Sequence, residues 1–376
     1  NQDWPLGGYT YITENHLAAD SLINQEIERV QQMLDKAIAG GYQPGMDVTS
    51  LLTNPDFSDG SNGWTGTAFS TWEQKVQETT WYVGENYSTD SVNISQTLTG
   101  LKPGYYLVTM NAATCANGNR YSYDQHAVIF ANNNTAIIPV VREDMITPEA
   151  AIDGENCLLT TDLSEHPLFD DGFSTSKTDD NEIIGYIPRG LAAMAYAMNG
   201  KRYQMAVLTK VGEDGNLTVG LRRNASEGLS FQLLFGNTKL TYCGTEADAP
   251  TATAIKEVLD KQTARANTLL TAYDPNDPNQ APARNYPAQL KKELEENVAS
   301  AQAAEGVSAQ ESALYALSTT LDNILDGKEA YYAMLKKSET MESIANVLGT
   351  SLGDDQDMFY NAIDSVNNAY NNGSIT

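Results

Sequence analysis

Trp72, Trp81, Tyr82 and Tyr87 fall within one short stretch of the chain, interleaved with Glu73, Glu78 and Glu85. A second polar and aromatic stretch, Arg120, Tyr121, Tyr123, Asp124 and His126, follows the loop residues Asn117-Gly118-Asn119. A third group, Arg222, Arg223 and Asn224, ends an apolar alternation at a loop, where ligand contacts tend to gather. These residue types suit one chemistry above others. A pyranose offers a C–H-rich face that packs on an aromatic ring, and its hydroxyls pair with Asn, Asp, Arg or Gln. Trp72, Trp81, Arg120, Tyr121, Tyr123, Asp124 and Arg222 are therefore the candidate ligand contacts. The same residue types also fill cores. Trp64 reads as core. Trp81 and Tyr82 take opposite faces of one strand, so one of them is expected to face inward. Tyr121 and Tyr123 share a face near a loop. Arg222 points away from the Leu217, Val219, Leu221 face, toward solvent or a neighbouring domain.

Catalytic chemistry has less to stand on. Glycosidases set two carboxylates about 5 to 10 Å apart, and Glu73, Glu78 and Glu85 lie near the tryptophans, yet nothing singles out two of them. Acid runs such as Asp170-Asp171 and Asp179-Asp180 read as solvated loop. The chain has no phosphate-cradling loop and no His-Glu-x-x-His motif. Cys115 and His126 could pair, but a strand cysteine is more often a small packed residue. The three cysteines, Cys115, Cys157 and Cys243, show no metal-like spacing, and their odd number excludes a complete disulfide framework. No catalytic residue is assigned. A cryptic glycosidase stands as an alternative.

The 376 residues carry 49 Asp and Glu against 23 Lys and Arg, a formal net charge of −26. Such a field repels polyanions, which argues against nucleic acid and against lying on an anionic bilayer. The longest apolar run falls well short of the roughly 18 residues needed to span a bilayer. No targeting segment is visible, so the sequence reads as cytosolic or already processed.

The candidate residues need a frame, and the chain changes texture twice. Residues 13 to 39 repeat Ile23, Ile27, Val30, Leu34 and Ile38 at helical spacing, with Gly40-Gly41 as the stop. Residues 48 to 243 alternate with period two. Val92, Ile94, Gln96 and Leu98 form one such set, and Tyr106, Val108, Met110 and Ala112 another. Met205, Val207, Thr209 and Val211, then Leu217, Val219 and Leu221, complete the pattern. It predicts half-buried antiparallel strands separated by turns at Lys102-Pro103-Gly104 and Glu213-Asp214-Gly215-Asn216. The polar, acidic stretch 143 to 185 reads as a long loop with one helical turn. From Thr251 the period becomes helical. Ile255, Val258, Leu259, Gln262, Ala266, Leu269 and Tyr273 share a face. Leu290, Leu294, Val298 and Ala301 follow Pro287, and Ser308 with Glu311 reads as a capping box ahead of Leu314, Leu317, Leu321 and Ile324. A last helix carries Phe359, Ile363, Val366 and Tyr370. The expectation is a multi-domain chain of α and β. It comprises an N-terminal helical segment (1–46), an antiparallel β-sandwich or jelly roll (47–246) and a C-terminal helical bundle (247–376).

Asn54-Pro55-Asp56-Phe57-Ser58-Asp59-Gly60 with Asn62-Gly63-Trp64 resembles the opening strand of galactose-binding-like jelly rolls. These are common in carbohydrate-binding modules and in secreted proteins of gut Bacteroidetes. Ser95 to Leu98, Gly100 to Tyr106, Gly212 to Gly220 and Phe235 to Gly244 match later strands of such domains in order. The closing strand departs from the pattern: Gly236-Asn237-Thr238 stands where an acidic residue and Asn-Phe are usual. The helical part more loosely resembles the FIVAR-type bundles of surface proteins. The resemblance implies a secreted, periplasmic or cell-surface, non-catalytic glycan-binding protein of the polysaccharide-utilisation kind, with any lipid anchor upstream of Asn1. It also implies a structural calcium ion near the first strand, for which Asp56 and Asp59 are oxygen ligands of the right hardness; the plain reading of these residues is a turn. A structural or protein-interaction component of the cell envelope, its acidic helices contacting other envelope proteins, is the alternative from a different class.

Overall fold

Alternation along Val92 to Leu98 buries Val92, Ile94 and Gln96 and leaves Asn93 and Thr97 in solvent, as the half-buried strand pattern requires. The same logic builds two sheets in the computed structural model, which describes residues 27, 41–76, 78–88, 91–115, 127–141, 173–177, 183–188, 191–199, 203–223, 231–273, 286–347 and 355–371. In chain order the strands are β1 (Met46–Asp47), β2 (Thr65–Gly66), β3 (Ser70–Val76), β4 (Thr79–Ser88), β5 (Val92–Leu98), β6 (Gly104–Cys115) and β7 (Ala127–Ala131). They continue as β8 (Asn134–Ile137), β9 (Val140–Val141), β10 (Phe173–Lys177), β11 (Ile183–Pro188), β12 (Gln204–Val211), β13 (Leu217–Arg223) and β14 (Phe231–Gly244). The first sheet runs β12-β6-β14-β4-β3, with β1 added to β14 and β9 to β6; the second runs β2-β5-β13-β7-β8. All of these pairings are antiparallel except β6 with β9. Between the sheets lie Val108, Met110 and Ala112 of β6, Leu233 and Phe235 of β14, and Leu217, Val219 and Leu221 of β13, all buried.

Five helices are described: α1 (Leu191–Asn199), α2 (Ala249–Ala272), α3 (Ala288–Ala303), α4 (Val307–Val347) and α5 (Asp355–Asn371). The stripes expected in α2, α3 and α4 hold. Ile255, Leu269, Leu294, Leu317, Leu321 and Ile324 are fully buried. Their core is shared with the sandwich, because Tyr105, Leu208 and Cys243 of the first sheet and Val128 and Ile137 of the second belong to it. The helices thus close the edge where β12 and β8 meet, and the Asn134 amide bridges those strands by donating to the Leu208 carbonyl at 2.7 Å. Arg265, itself buried, donates to the Ile137 carbonyl at 3.2 Å.

Four expectations change. Stretch 143–185 is not all loop: β10 falls within it, β11 begins there, and the two pair as a separate two-stranded sheet. The acidic texture of that region hides two short segments rich in β-formers. Helix α1 interrupts a region read as strands alone, though its Ala- and Met-rich sequence favours helix. Strand β6 is buried on much of both faces rather than one, because helices cover the outward side. Ser308 and Glu311 do not form a capping box. The helix already begins at Val307, and the Glu311 carboxylate accepts the Tyr105 hydroxyl at 2.8 Å across to the sandwich. The helical reading of residues 13 to 39 lies outside the described residues apart from residue 27.

Candidate functional site

Register fixes which side chains meet on the outer face of the first sheet. Between β3 and β4, Trp72 pairs with Val83, Gln74 with Trp81 and Ser70 with Glu85. Directly opposed residues share a face, as do residues two apart on one strand. Trp72, Trp81, Glu85 and Tyr87 therefore project together. Strand β14 extends the row, with Gln232 opposite Tyr87 and Leu234 opposite Glu85. Phe235 and Leu233 point the other way, into the core. Gly84 permits this: a Cβ there would lie 2.3 Å from the Phe235 ring, so only glycine lets that ring slide beneath the strand.

On this outer face Trp72 is 46% exposed and Tyr87 61% exposed. The Trp72 indole Nε1 donates to Glu85 Oε2 at 2.8 Å. Glu85 Oε1 accepts from Gln232 Nε2 at 2.5 Å. A hydrogen-bonded row thus crosses β3, β4 and β14 and orients the exposed indole. At about 3.3 Å per residue and 4.8 Å between strands, the backbone anchors of Trp72 and Tyr87 stand roughly 14 Å apart. That is the reach of a short oligosaccharide rather than of a single ring. Helix α1 packs against β3, β4 and β14, and its Met198 sulfur lies 3.5 Å from where a Cβ on Gly236 would be. The helix therefore packs on the same face, where Val83, opposite Trp72, and Leu234, opposite Glu85, are fully buried while Trp72 and Tyr87 stay exposed.

Trp81 shares this face but is only half-exposed, with its indole nitrogen buried and not hydrogen-bonded. Tyr82, on the opposite face of β4, is also half-exposed, so neither of the pair is fully inward. Trp64 is core: it stacks on Phe57 with centroids 4.8 Å apart, and its indole donates to the Asn54 carbonyl at 3.0 Å. Arg120, Tyr121, Tyr123 and Asp124 lie outside the described residues. Arg222 belongs to a different place. It projects from the outer face of the second sheet, its guanidinium 5.8 Å from the Phe130 ring centroid, and lines a cleft of about 230 Å³ against α4. Its neighbour Arg223 is buried, at 1% exposure.

Asp56 and Asp59 sit in the loop before β2 and serve its turns. Asp56 accepts from the Ser58 backbone amide at 3.2 Å and hydroxyl at 2.8 Å. Asp59 accepts from the Asn62 amide at 2.9 Å and donates its own backbone N–H to Asn54 at 2.9 Å. Among the described residues no three His, Cys, Asp or Glu side chains gather at one point. Both aspartates are engaged in the hydrogen bonds of the loop's turns. The departure at Gly236-Asn237-Thr238 is a bulge. The register slips between Gly236 and Lys239, Asn237 adopts φ of 51°, and the Thr238 amide reaches the Pro55 carbonyl of the same loop at 2.9 Å.

Gln232 and Tyr315, which lines the Arg222 cleft, escaped the reading of the sequence. Neither sits in an aromatic or polar motif, and only the register of β14 and the docking of α4 bring them to their sites.

No family model and no curated protein matches the chain. Among solved structures it is similar to the CBM51-2 and INT domains of Clostridium perfringens ZmpB, at 10% identity over 69% of this chain and 43% of that one, with a TM-score of 0.17. The same domains with CBM51-2 in complex with GlcNAc align at 9% identity over the same shares, also at 0.17. The chain spans about 43% of the length of these structures. At that TM-score the likeness fixes neither fold nor ligand.

Proposed function

We propose that this chain is a non-catalytic glycan-binding protein of the cell exterior, and that the outer face of the first sheet is its principal site. The observation that carries the reading is Trp72: a large indole left 46% exposed on a sheet, yet held in one orientation by Glu85. Leaving nearly half of such a ring in water forgoes part of a burial worth roughly 1.5–3 kcal/mol when complete, and ordering it in advance lowers the cost of binding a ligand against it. Tyr87 provides a second exposed ring, and Gln232 with Glu85 provides hydroxyl partners between them. A non-catalytic role is supported by the use of both Glu85 oxygens to position neighbours, and by Glu73, opposite Tyr82, falling on the other face of the sheet.

The net charge of −26 selects among glycans. Uronate-rich or sulfated chains meet a repulsive field, so the ligand class is a neutral polysaccharide. Electrophoresis of the full chain through gels containing neutral or acidic polysaccharides tests this. Retardation by at least one neutral polymer, and by none of the acidic ones, is expected. Unhindered migration through every neutral polymer overturns the proposal.

A further inference from the structure

We propose that the cleft between the second sheet and α4 is a separate saccharide subsite that takes a single pyranose ring. One wall is the outer face of the sheet. Arg222 on β13 pairs directly with Val128 on β7, and Thr135 on β8 pairs with Phe130, so these side chains stand on one surface. The other wall is α4, where Tyr315, Asp322 and Asp326 follow one another at spacings of seven and four residues along one helical stripe. The buried stripe of Leu314, Leu317, Leu321 and Ile324 anchors the same helix, so the polar stripe is held rigidly over the sheet. Thr135 Oγ1 donates to Asp322 Oδ2 at 2.7 Å and pins the two walls together at one end.

The lining decides the ligand. Arg222 donates only, Asp322 and Asp326 accept only, and Thr135, its proton already given to Asp322, can only accept. Tyr315, 51% exposed, contributes the one aromatic face. An anion would meet two carboxylates against one guanidinium. An apolar ligand would strip water from at least four polar groups and give nothing back. A polyol satisfies both kinds of partner, because every hydroxyl donates and accepts, and its C–H face packs on the tyrosine. At about 230 Å³ the cleft is smaller than the 300–1,000 Å³ typical of drug-sized ligands, which limits it to one ring. Its position between two packed units is a common place for small-molecule sites. The subsite shares a ligand class with the Trp72 face but none of its residues, and it is suited to the end of a chain or to a free monosaccharide.

The test is ligand-observed saturation-transfer NMR on the full chain with the methyl pyranosides of glucose, galactose and N-acetylglucosamine. At least one is expected to bind wild type. Its affinity should fall about tenfold or more in Tyr315→Ala and again in Asp326→Asn. It should be unchanged in Lys256→Ala, an exposed α2 position away from both sites. Absence of binding by all three probes, or undiminished binding in Tyr315→Ala and Asp326→Asn, overturns the subsite. Neither result touches the Trp72 face, which is read by polysaccharide retardation.

Discussion

Glu85 does two jobs with one carboxylate, taking the Trp72 indole N–H on one oxygen and the Gln232 amide on the other. A carboxylate engaged this way acts as a bracket, and the bracket is what separates Trp72 from an aromatic merely stranded at a surface. Trp64 shows the contrast. Its indole donates to the Asn54 carbonyl, and its ring is stacked on Phe57 and buried. At the same scale Cys243 is a free thiol, 1% exposed, whose ionisation burial pushes up to about 11 from an ordinary 9.0. The folded state therefore holds the proton more tightly than the unfolded chain. The stabilisation this brings is complete below pH 9 and is lost as pH rises toward 11. We predict that iodoacetamide at pH 8 leaves Cys243 unmodified in the native protein and alkylates it in urea, as read by peptide mass spectrometry. Native labelling at a rate matching the unfolded chain would contradict the burial described.

Among the elements, one tight constraint is at Gly220 of β13. A Cβ there would lie 2.2 Å from the Ile94 carbonyl oxygen and 2.9 Å from the Phe130 ring. Backbone cannot give as a flexible side chain can, so Gly220→Ala should destabilise by about 1–3 kcal/mol or more and lower the urea midpoint; an unchanged midpoint would show that β5 and β13 are less closely paired. Strands such as β5, β12 and β13 were legible in the sequence because one face of each is core, and burial writes itself as alternation. The stripes of α2, α3 and α4 were legible for the same reason at helical period. What could not be read is whatever depends on a second contact. The outward residues of β6 look solvent-facing until helices cover them, Glu311 looks like a cap until Tyr105 claims it, and α1 is overshadowed by the strands around it. The candidate site divides along the same line. Trp72 and Trp81 stand out by residue type, and Glu85 by proximity. Gln232 enters only through β14 pairing with β4, and Arg222 meets Tyr315 only once α4 has docked.

At the scale of the whole molecule, sandwich and helices behave as one packed body along the β12–β8 edge. The shared core is reinforced by Tyr105 to Glu311, Thr135 to Asp322 and Arg265 to the Ile137 carbonyl. Burial and the Glu311 carboxylate both push the Tyr105 phenol far above its ordinary value, so it remains a donor at any working pH. Docking the helices there leaves the Trp72 face of the opposite strands uncovered by the bundle and creates the Arg222 cleft on the second sheet. On the proposed reading, the overall negative charge makes binding at either place depend on ring packing and neutral hydrogen bonds, with little help from long-range attraction. Calorimetric titration of one retarding neutral oligosaccharide into wild type and Trp72→Ala tests the central claim most directly. The variant should retain its fold and bind about tenfold or more weakly; equal affinity in the two proteins would contradict the assignment of the β3–β4–β14 face as the glycan site.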